Sequence, residues 1–595
     1  MREAPVLSPR RKRWVRLAAL GLLPCALASW IDPDTPNKHT TMKSLKDGRI
    51  HKLIMSDEFN VKGRTFADGE DPMWTAELHS DDAQSSAGYG SLHYYNDSQV
   101  VTSHGCLNIT TTSEKTQWKG YNPYKKKYEV LFKNFKSGLI TTWNKFCFTG
   151  GIIEMRAILP GEHNIGGLWP AFWLLGNLGR ATYEASTNLV WPWSYNRCNR
   201  KLQLGQEISA CNGVKHFGMH AHQGRGSTEI DIIEVMAGKP GYPEIIEWDK
   251  IGLPYMSATL QVAPGIEDHR PEQDHQQQPE NTWYEGMSYG PNTTQNFHFY
   301  GLLVDKTLPM EPVYRSEKQS YRADGISAIT RLARTHFNDF HTYKLEWRPG
   351  ADGGYLAWYL DDELLFEIDQ ASLDPYGSQI PDEPSYVILN TAVASSWGFP
   401  IPCPPGCACE CFDCNDDKCA CSFFEGFCDT LPAHFLVDYV RVFQDESDPL
   451  LTQTCDPPTH PTTAFIKAHP DRYLGNGKTE PLEKLVRGGG SCKVDDDCAG
   501  HGMCRGSWFW RSCECEEGWV GPKCRAFDKF DDFTYHHQVH LKPEPLAVPL
   551  LLRLLGGAVA IAVVSATVLA GVAKSRQRKK VQQLAESKRL LAQRG

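Results

Sequence analysis

A chain of 595 residues with 41% hydrophobic content is long enough for several domains and can bury a large core, which excludes wholesale disorder. Its net charge of −9 is modest for that length and gives no basic footprint for nucleic acid. Seventeen tryptophans and 23 tyrosines supply aromatic surface for core packing or for stacking on sugar rings.

The N-terminus reads as a signal peptide over residues 1–28. Arg10, Arg11, Lys12, Arg13 and Arg16 form a basic lead, and Leu17 to Ala28 is an apolar run ending in Ala26-Leu27-Ala28, an A-x-A cleavage pattern. The run is too short to span a bilayer, and an uncleaved anchor is the alternative. Twenty cysteines fit an oxidising compartment. Cys25 leaves with the signal peptide, so the remaining odd number requires a free thiol or an intermolecular bridge. Sequons at Asn96, Asn108 and Asn292 mark glycosylation sites that suit a lumenal or extracellular region.

After a polar segment, LIMSDEFNVKGRTFADGEDPMW (Leu53 to Trp74) reads as a short strand entering an acidic, turn-rich loop. Cys106 to Thr111, Gly151 to Ile158, Val387 to Val393 and Phe435 to Phe443 also read as strands. With no long amphipathic pattern among them, they predict an all-β domain. Two aromatic clusters interrupt them. GGLWPAFWLLG carries Trp169 and Trp173. NLVWPWSYNRC places Trp191, Trp193 and Tyr195 at alternate positions, on one face if extended. The polar stretch from Gly265 to Gln295 reads as a surface loop.

The segment GRGSTEIDIIEV, Gly224 to Val235, carries three carboxylates among β-branched residues that favour a strand. Glu229 and Asp231 share a face by the two-residue period. Glu234 is five from Glu229 and needs one β-bulge between Asp231 and Glu234 to rejoin them. Three acids on one face repel one another and lose hydration, which is a poor way to build a core. Paired carboxylates are what retaining glycoside cleavage requires: a nucleophile and a proton donor. The competing reading is a solvated acidic edge.

The C-terminal third is rich in cysteine. Residues 403–428, CPPGCACECFDCNDDKCACSFFEGFC, hold eight, at spacings that suit disulfides in an oxidising lumen and would also suit zinc. Cys492, Cys498, Cys504, Cys513, Cys515 and Cys524 lie in a compact module at 488–525, too small to fold without cross-links. A stalk at 526–553 follows. Leu554 to Ala573 is 20 residues without a charge and reads as a transmembrane helix. The basic tail at 574–595 should stay cytoplasmic, which makes a single-pass type I protein with its large part lumenal or extracellular.

SDEFN, GGLWPAFWLLG, GRGSTEIDIIEV, IPDEPSYVILNTAVASSW and VDYVRVFQ, in that order, resemble glycoside hydrolase family 16. Further stretches, among them SATLQVAPG and CDPPTHPTTAFIKAHPDRY, resemble its fungal β-glucan synthesis-associated membrane proteins. The resemblance covers residues 50–473. It implies a β-jelly-roll sandwich (concanavalin A-like) with a cleft on one sheet. It also implies Glu229 as nucleophile, Asp231 as assisting acid and Glu234 as general acid/base. Trp169, Trp173, Asn390 and Trp397 are the expected substrate contacts, with no cofactor and no metal. The module ending CECEEGWVGPKC resembles an EGF-like domain. That resemblance implies first–third, second–fourth and fifth–sixth pairing and a role in protein or glycan contact.

The chain departs from the fungal pattern in three respects: its signal peptide and C-terminal span in place of an N-terminal span, the added module, and the cysteine-rich insert. The expected function is a membrane-anchored retaining hydrolase or transglycosylase of β-glucan, in its biosynthesis or in cell-wall remodelling. The alternative is a non-catalytic glucan-binding receptor or assembly factor.

Overall fold

The 12-residue strand Ala433–Gln444 is the spine of one sheet. It pairs antiparallel with Ile50–Asp57, Gly151–Ile158 and Cys106–Thr111. Its burial alternates at first and becomes continuous from Tyr439, as the strand runs from an edge into the interior. The structure is a computed structural model. It describes residues 30–80, 91–122, 127–181, 191, 193–194, 217–220, 223–237, 254–263, 287–296, 302–304, 321–374, 378–394, 399, 405–408, 411–469, 473, 486–507 and 510–527.

From the spine outward, the first sheet continues through Gly151–Ile158, His341–Arg348, Tyr355–Leu360, Glu363–Asp369 and Met287–Tyr289. The second sheet centres on Tyr321–Arg331, Tyr255–Val262, Glu229–Met236, Leu168–Gly176, Ser385–Val393 and Leu139–Thr141, in that order and antiparallel throughout. Trp358 on the first sheet donates its indole N–H to the Asp231 carbonyl on the second at 3.0 Å, and Phe148 packs edge-on against Trp347. The two sheets form the all-β sandwich. Phe172, Leu174, Ile230, Ile233, Val387 and Leu389 are buried within it. Each such side chain contributes about 1.5–3 kcal/mol of transfer free energy.

Strands expected from the sequence are present, some a residue or two longer. Two short strands, Met287–Tyr289 and Thr293–Gln295, fall inside the stretch expected as loop, one joining each sheet. Thr41–Lys43 adds a strand ahead of Ile50.

Two family motifs turn out to be structural. In SDEFNVKGRTFADGEDPMW, Arg64 is buried between Asp57 and Asp71, with Nη1 to Asp57 Oδ1 at 2.7 Å and Nη2 to Asp71 Oδ2 at 2.8 Å. Trp74 Nε1 donates to Asp57 as well. In CDPPTHPTTAFIKAHPDRY, Cys455 bridges to Cys147. Asp456 caps the Thr463–Ala468 helix through the backbone of Thr462 and Thr463, and Tyr473 stacks on Trp143.

The cysteine-rich insert is cross-linked at Cys407–Cys421, Cys411–Cys419 and Cys414–Cys428. Its Phe423 and Phe427, with Phe399, pack on Leu168 and Val393. The insert therefore sits at one end of the second sheet.

Cys492–Cys504, Cys498–Cys513 and Cys515–Cys524 cross-link the C-terminal module. It is seated on the Arg64 loop, with Val486 N donating to Gly69 O at 2.6 Å and Arg525 Nη1 to Gly63 O at 2.6 Å. Cys106 is the cysteine left without a bridge among the described residues, and it is buried. Among those residues no helix is long and apolar enough to cross a membrane. The stalk expected from 526 begins later, because Ala526–Phe527 pairs with Trp519–Val520 inside the module; the rest of the stalk and the expected signal peptide, span at 554–573 and basic tail lie outside the described residues.

Candidate active site

The acid strand Glu229–Met236 enters the sheet from a fastened turn. Arg225, fully buried, ion-pairs with Glu383 through Nη2 at 2.6 Å and donates from Nη1 to Pro461 O at 2.9 Å. Ser227 Oγ holds Gly176 O at 2.7 Å, and Thr228 Oγ1 holds Trp193 O at 3.1 Å. Gly176 has no room for a side chain, since a Cβ there would lie 3.0 Å from Ser227 Cα.

The strand is bulged where parity required. Against Tyr255–Val262 the register shifts between Asp231, opposite Thr259, and Glu234, opposite Ser257. Against Leu168–Gly176, Leu175 faces Glu229, Trp173 faces Asp231 and Ala171 faces Glu234. Directly opposed residues share a face. All three acids thus lie on one face with Trp169, Trp173, Ser257, Thr259 and Gln261. Ile230 and Ile233 are buried on the inner side. Asp231 and Glu234 are nearly inaccessible, while Glu229, Trp169 and Trp173 are partly open.

Each acid has a distinct set of partners. Trp191 Nε1 donates to Glu229 Oε2 at 2.5 Å. Asp231 hydrogen-bonds Glu229 and accepts from Gln261 Nε2 at 3.5 Å, at the outer limit of such a contact. Glu234 accepts from Ser257 Oγ at 3.1 Å and from Trp169. Burial raises all three pKa values. For Glu229 the hydrogen bonds from Asp231 and Trp191 oppose it and leave the group at about 7. For Glu234 burial and then the neighbouring Glu229 charge push it to about 8. Asp231 is raised well above the usual carboxylate range, first by burial and then by the charges of Glu229 and Glu234. Both effects favour the protonated form of Asp231, the form able to donate to Glu229. The arrangement provides one ionisable carboxylate beside one that stays protonated near neutral pH.

Trp173 Nε1 donates to Asn390 Oδ1 at 2.8 Å, and Asn390 Nδ2 donates to Tyr95 Oη at 3.0 Å. This chain of bonds fixes the indole plane. Trp397 lies outside the described residues. Of the second aromatic cluster, Trp191 reaches Glu229, whereas Trp193 is 2% exposed and serves as core. Asn96 and Asn108 are partly exposed and Asn292 is exposed. The metal-like grouping among the described residues is Cys492, Cys498 and Cys513, whose sulfurs are all in disulfides.

The family model of the beta-glucan synthesis-associated proteins SKN1/KRE6/Sbg1 matches residues 8–401 and 425–483. The chain belongs to this family. The match breaks across 402–424, within the cysteine-rich insert, and stops before the C-terminal module, so both are additions to the family pattern. Beta-glucan synthesis-associated protein SKN1 of Saccharomyces cerevisiae is 29% identical over 473 residues, covering 76% of this chain and 50% of its own length. KRE6 of the same yeast is 29% identical over 466 residues, 74% of this chain and 53% of its own. The chain thus spans about half the length of the curated relatives it matches. An endo-1,3-beta-glucanase (laminarinase) catalytic domain from Thermotoga petrophila RKU-1 aligns over 67% of this chain and 99% of its own, at 20% identity and a TM-score of 0.34.

Sequence reasoning did not select Trp191, Ser257, Gln261 or Tyr95 as site residues. Ser257, Thr259 and Gln261 had a usable signal: polar residues at alternate positions in the otherwise apolar run YMSATLQV. Trp191 had none beyond its cluster, because its contact with Glu229 spans 38 positions of sequence.

Proposed function

We propose that this protein is a retaining β-glucan glycosidase or transglycosylase, held on a membrane by the segment 554–573 with its catalytic part lumenal or extracellular. The observation that carries the reading is geometric: the register shift sets Glu229, Asp231 and Glu234 on one face of the strand beside Trp173, with Trp191 donating to Glu229 and Ser257 to Glu234. Ionised Glu229 attacks the anomeric carbon as Glu234 transfers its proton to the departing glycosidic oxygen, leaving a glycosyl ester on Glu229. Glu234, now a carboxylate, takes a proton from water or from a sugar hydroxyl. That oxygen attacks the ester, and Glu229 departs as a carboxylate. Asp231 keeps its proton and uses it to steady the charge on Glu229.

Trp173, braced by Asn390, offers a partly open indole for a sugar ring beside the acids. Membership of a family associated with β-glucan synthesis supports a β-glucan substrate and a biosynthetic or wall-remodelling role. The test offers purified protein β-1,3- and β-1,6-linked oligoglucans and follows product length and linkage. Shorter products alone identify a hydrolase, and longer ones identify a transglycosylase. Binding without turnover of any glucan would replace this reading with the glucan-binding one.

A further inference from the structure

Ser257, Thr259 and Gln261 of the strand Tyr255–Val262 share the face of the acid group, and each uses its hydrogen bond differently. Thr259 Oγ1 pairs with Ser327 Oγ on the neighbouring strand at 2.7 Å, away from the acids. Gln261 Nε2 lies 3.5 Å from Asp231 Oδ2, at the limit of a contact. Ser257 is fully buried, and its Oγ donates to Glu234 Oε2 at 3.1 Å. The bulge brings this pair together, since the register shift sets Ser257 directly opposite Glu234. On its other flank Ser257 lies opposite Ile329, whose side chain offers no acceptor. A serine hydroxyl carries one proton, so the donor capacity of Ser257 goes to the carboxyl that the proposed reaction uses as acid and base.

We propose that Ser257 is a positioning residue that sets which oxygen of Glu234 carries the transferable proton. The inference rests on the reading of Glu234 as general acid/base. In a neutral carboxylic acid the carbonyl oxygen is the better acceptor, and the other oxygen carries the hydrogen. A donor fixed at Oε2 makes Oε2 the carbonyl oxygen and leaves the proton on Oε1. After proton transfer the same bond is made to a carboxylate, where it is stronger. Ser257 thus favours both the placement of the proton and its departure, without touching the sugar. Trp169 also hydrogen-bonds Glu234. The titratable groups that face Glu234 are Glu229 and Asp231 on its own strand and Tyr255 on the strand of Ser257, while Leu168–Gly176 on the other flank has none.

Measuring kcat/KM with two donors built on the same oligoglucan tests it. An unactivated oligosaccharide must have its departing oxygen protonated, whereas a dinitrophenyl glycoside releases a phenolate that needs no proton. Ser257→Ala removes the hydroxyl and adds no bulk. It should lower kcat/KM on the unactivated glucan roughly 10-fold more than on the dinitrophenyl donor. The alkaline limb of its profile on the unactivated glucan should move upward, because the lost bond favoured the carboxylate. Ser257→Thr, which restores a hydroxyl, should recover part of the difference. Equal losses on the two donors, or no loss on either, would overturn the proposal and leave Ser257 a buried hydroxyl that has found an acceptor. Glu234→Gln separates that failure from a failure of the underlying reading. A general acid/base requires the same selective loss in larger measure, and equal losses on the two donors in this variant would overturn both.

Discussion

Trp191 Nε1 donates a hydrogen bond to Glu229 Oε2 at 2.5 Å, across 38 residues of sequence. The bond is made to the charged form, so it favours ionisation of a carboxylate that burial otherwise keeps neutral. Trp191→Phe keeps the apolar bulk and removes the donor. It should raise the Glu229 pKa and move the acidic limb of the kcat/KM profile upward. A hydrogen bond to a charged group is worth about 1.5–3 kcal/mol, so kcat/KM at neutral pH should fall by roughly 10- to 100-fold. A steady-state pH series on a soluble β-glucan reads both effects.

The reaction needs Glu229 ionised and Glu234 protonated. With Glu229 at about 7 and Glu234 at about 8, the kcat/KM profile should be a narrow bell between those values. Its two limbs belong to the coupled group rather than to single residues. Glu229→Gln removes the neighbouring charge that raises Glu234, so Glu234 should then titrate lower. A 13C carboxyl NMR titration of that variant would show the shift.

The same acids set a pH dependence of stability. Unfolded Glu234 titrates near its ordinary 4.5 and folded Glu234 at about 8. The folded state binds the extra proton between those values. The resulting stabilisation is complete below about 4.5 and is lost as pH rises through about 8. Glu234→Gln cannot take part, so its advantage over wild type should grow from pH 5 to pH 9. The melting temperature of the variant relative to wild type should rise between pH 5 and pH 9 by at least ~1 °C, the shift that ~1 kcal/mol brings in a domain of roughly 400 residues.

Arg64 neutralises two buried carboxylates, Asp57 and Asp71, and its contacts close the loop on which the C-terminal module is seated. Arg64→Ala leaves both acids buried without their cation. About 3–5 kcal/mol of stability should be lost, with the melting temperature falling accordingly. Differential scanning fluorimetry measures it. Arg64→Lys should recover only part, because one ammonium cannot reproduce the forked contacts with both acids.

The acid strand was legible in the sequence because two simple periodicities met there. β-branched Ile230, Ile232 and Ile233 demanded a strand, and the Asp231 to Glu234 spacing then demanded a bulge, which the register shows. The all-β class was legible for the same reason, in strands such as Gly151–Ile158. What could not be read was partnership at long range. Arg64 with Asp57 and Asp71 is a local motif whose role as a buried ion cluster depends on which loop folds inward. Trp193 and Trp191 look equivalent two residues apart, yet Trp193 is buried in the core and Trp191 hydrogen-bonds Glu229.

The central claim is that Glu229 is the nucleophile. Incubation with a 2-deoxy-2-fluoro β-glucosyl donor followed by peptide mass spectrometry tests it most directly. The account predicts a glycosyl adduct on the peptide containing Glu229, absent from Glu229→Gln. An adduct on a different residue, or glucan turnover by Glu229→Gln at the wild-type rate, would contradict it.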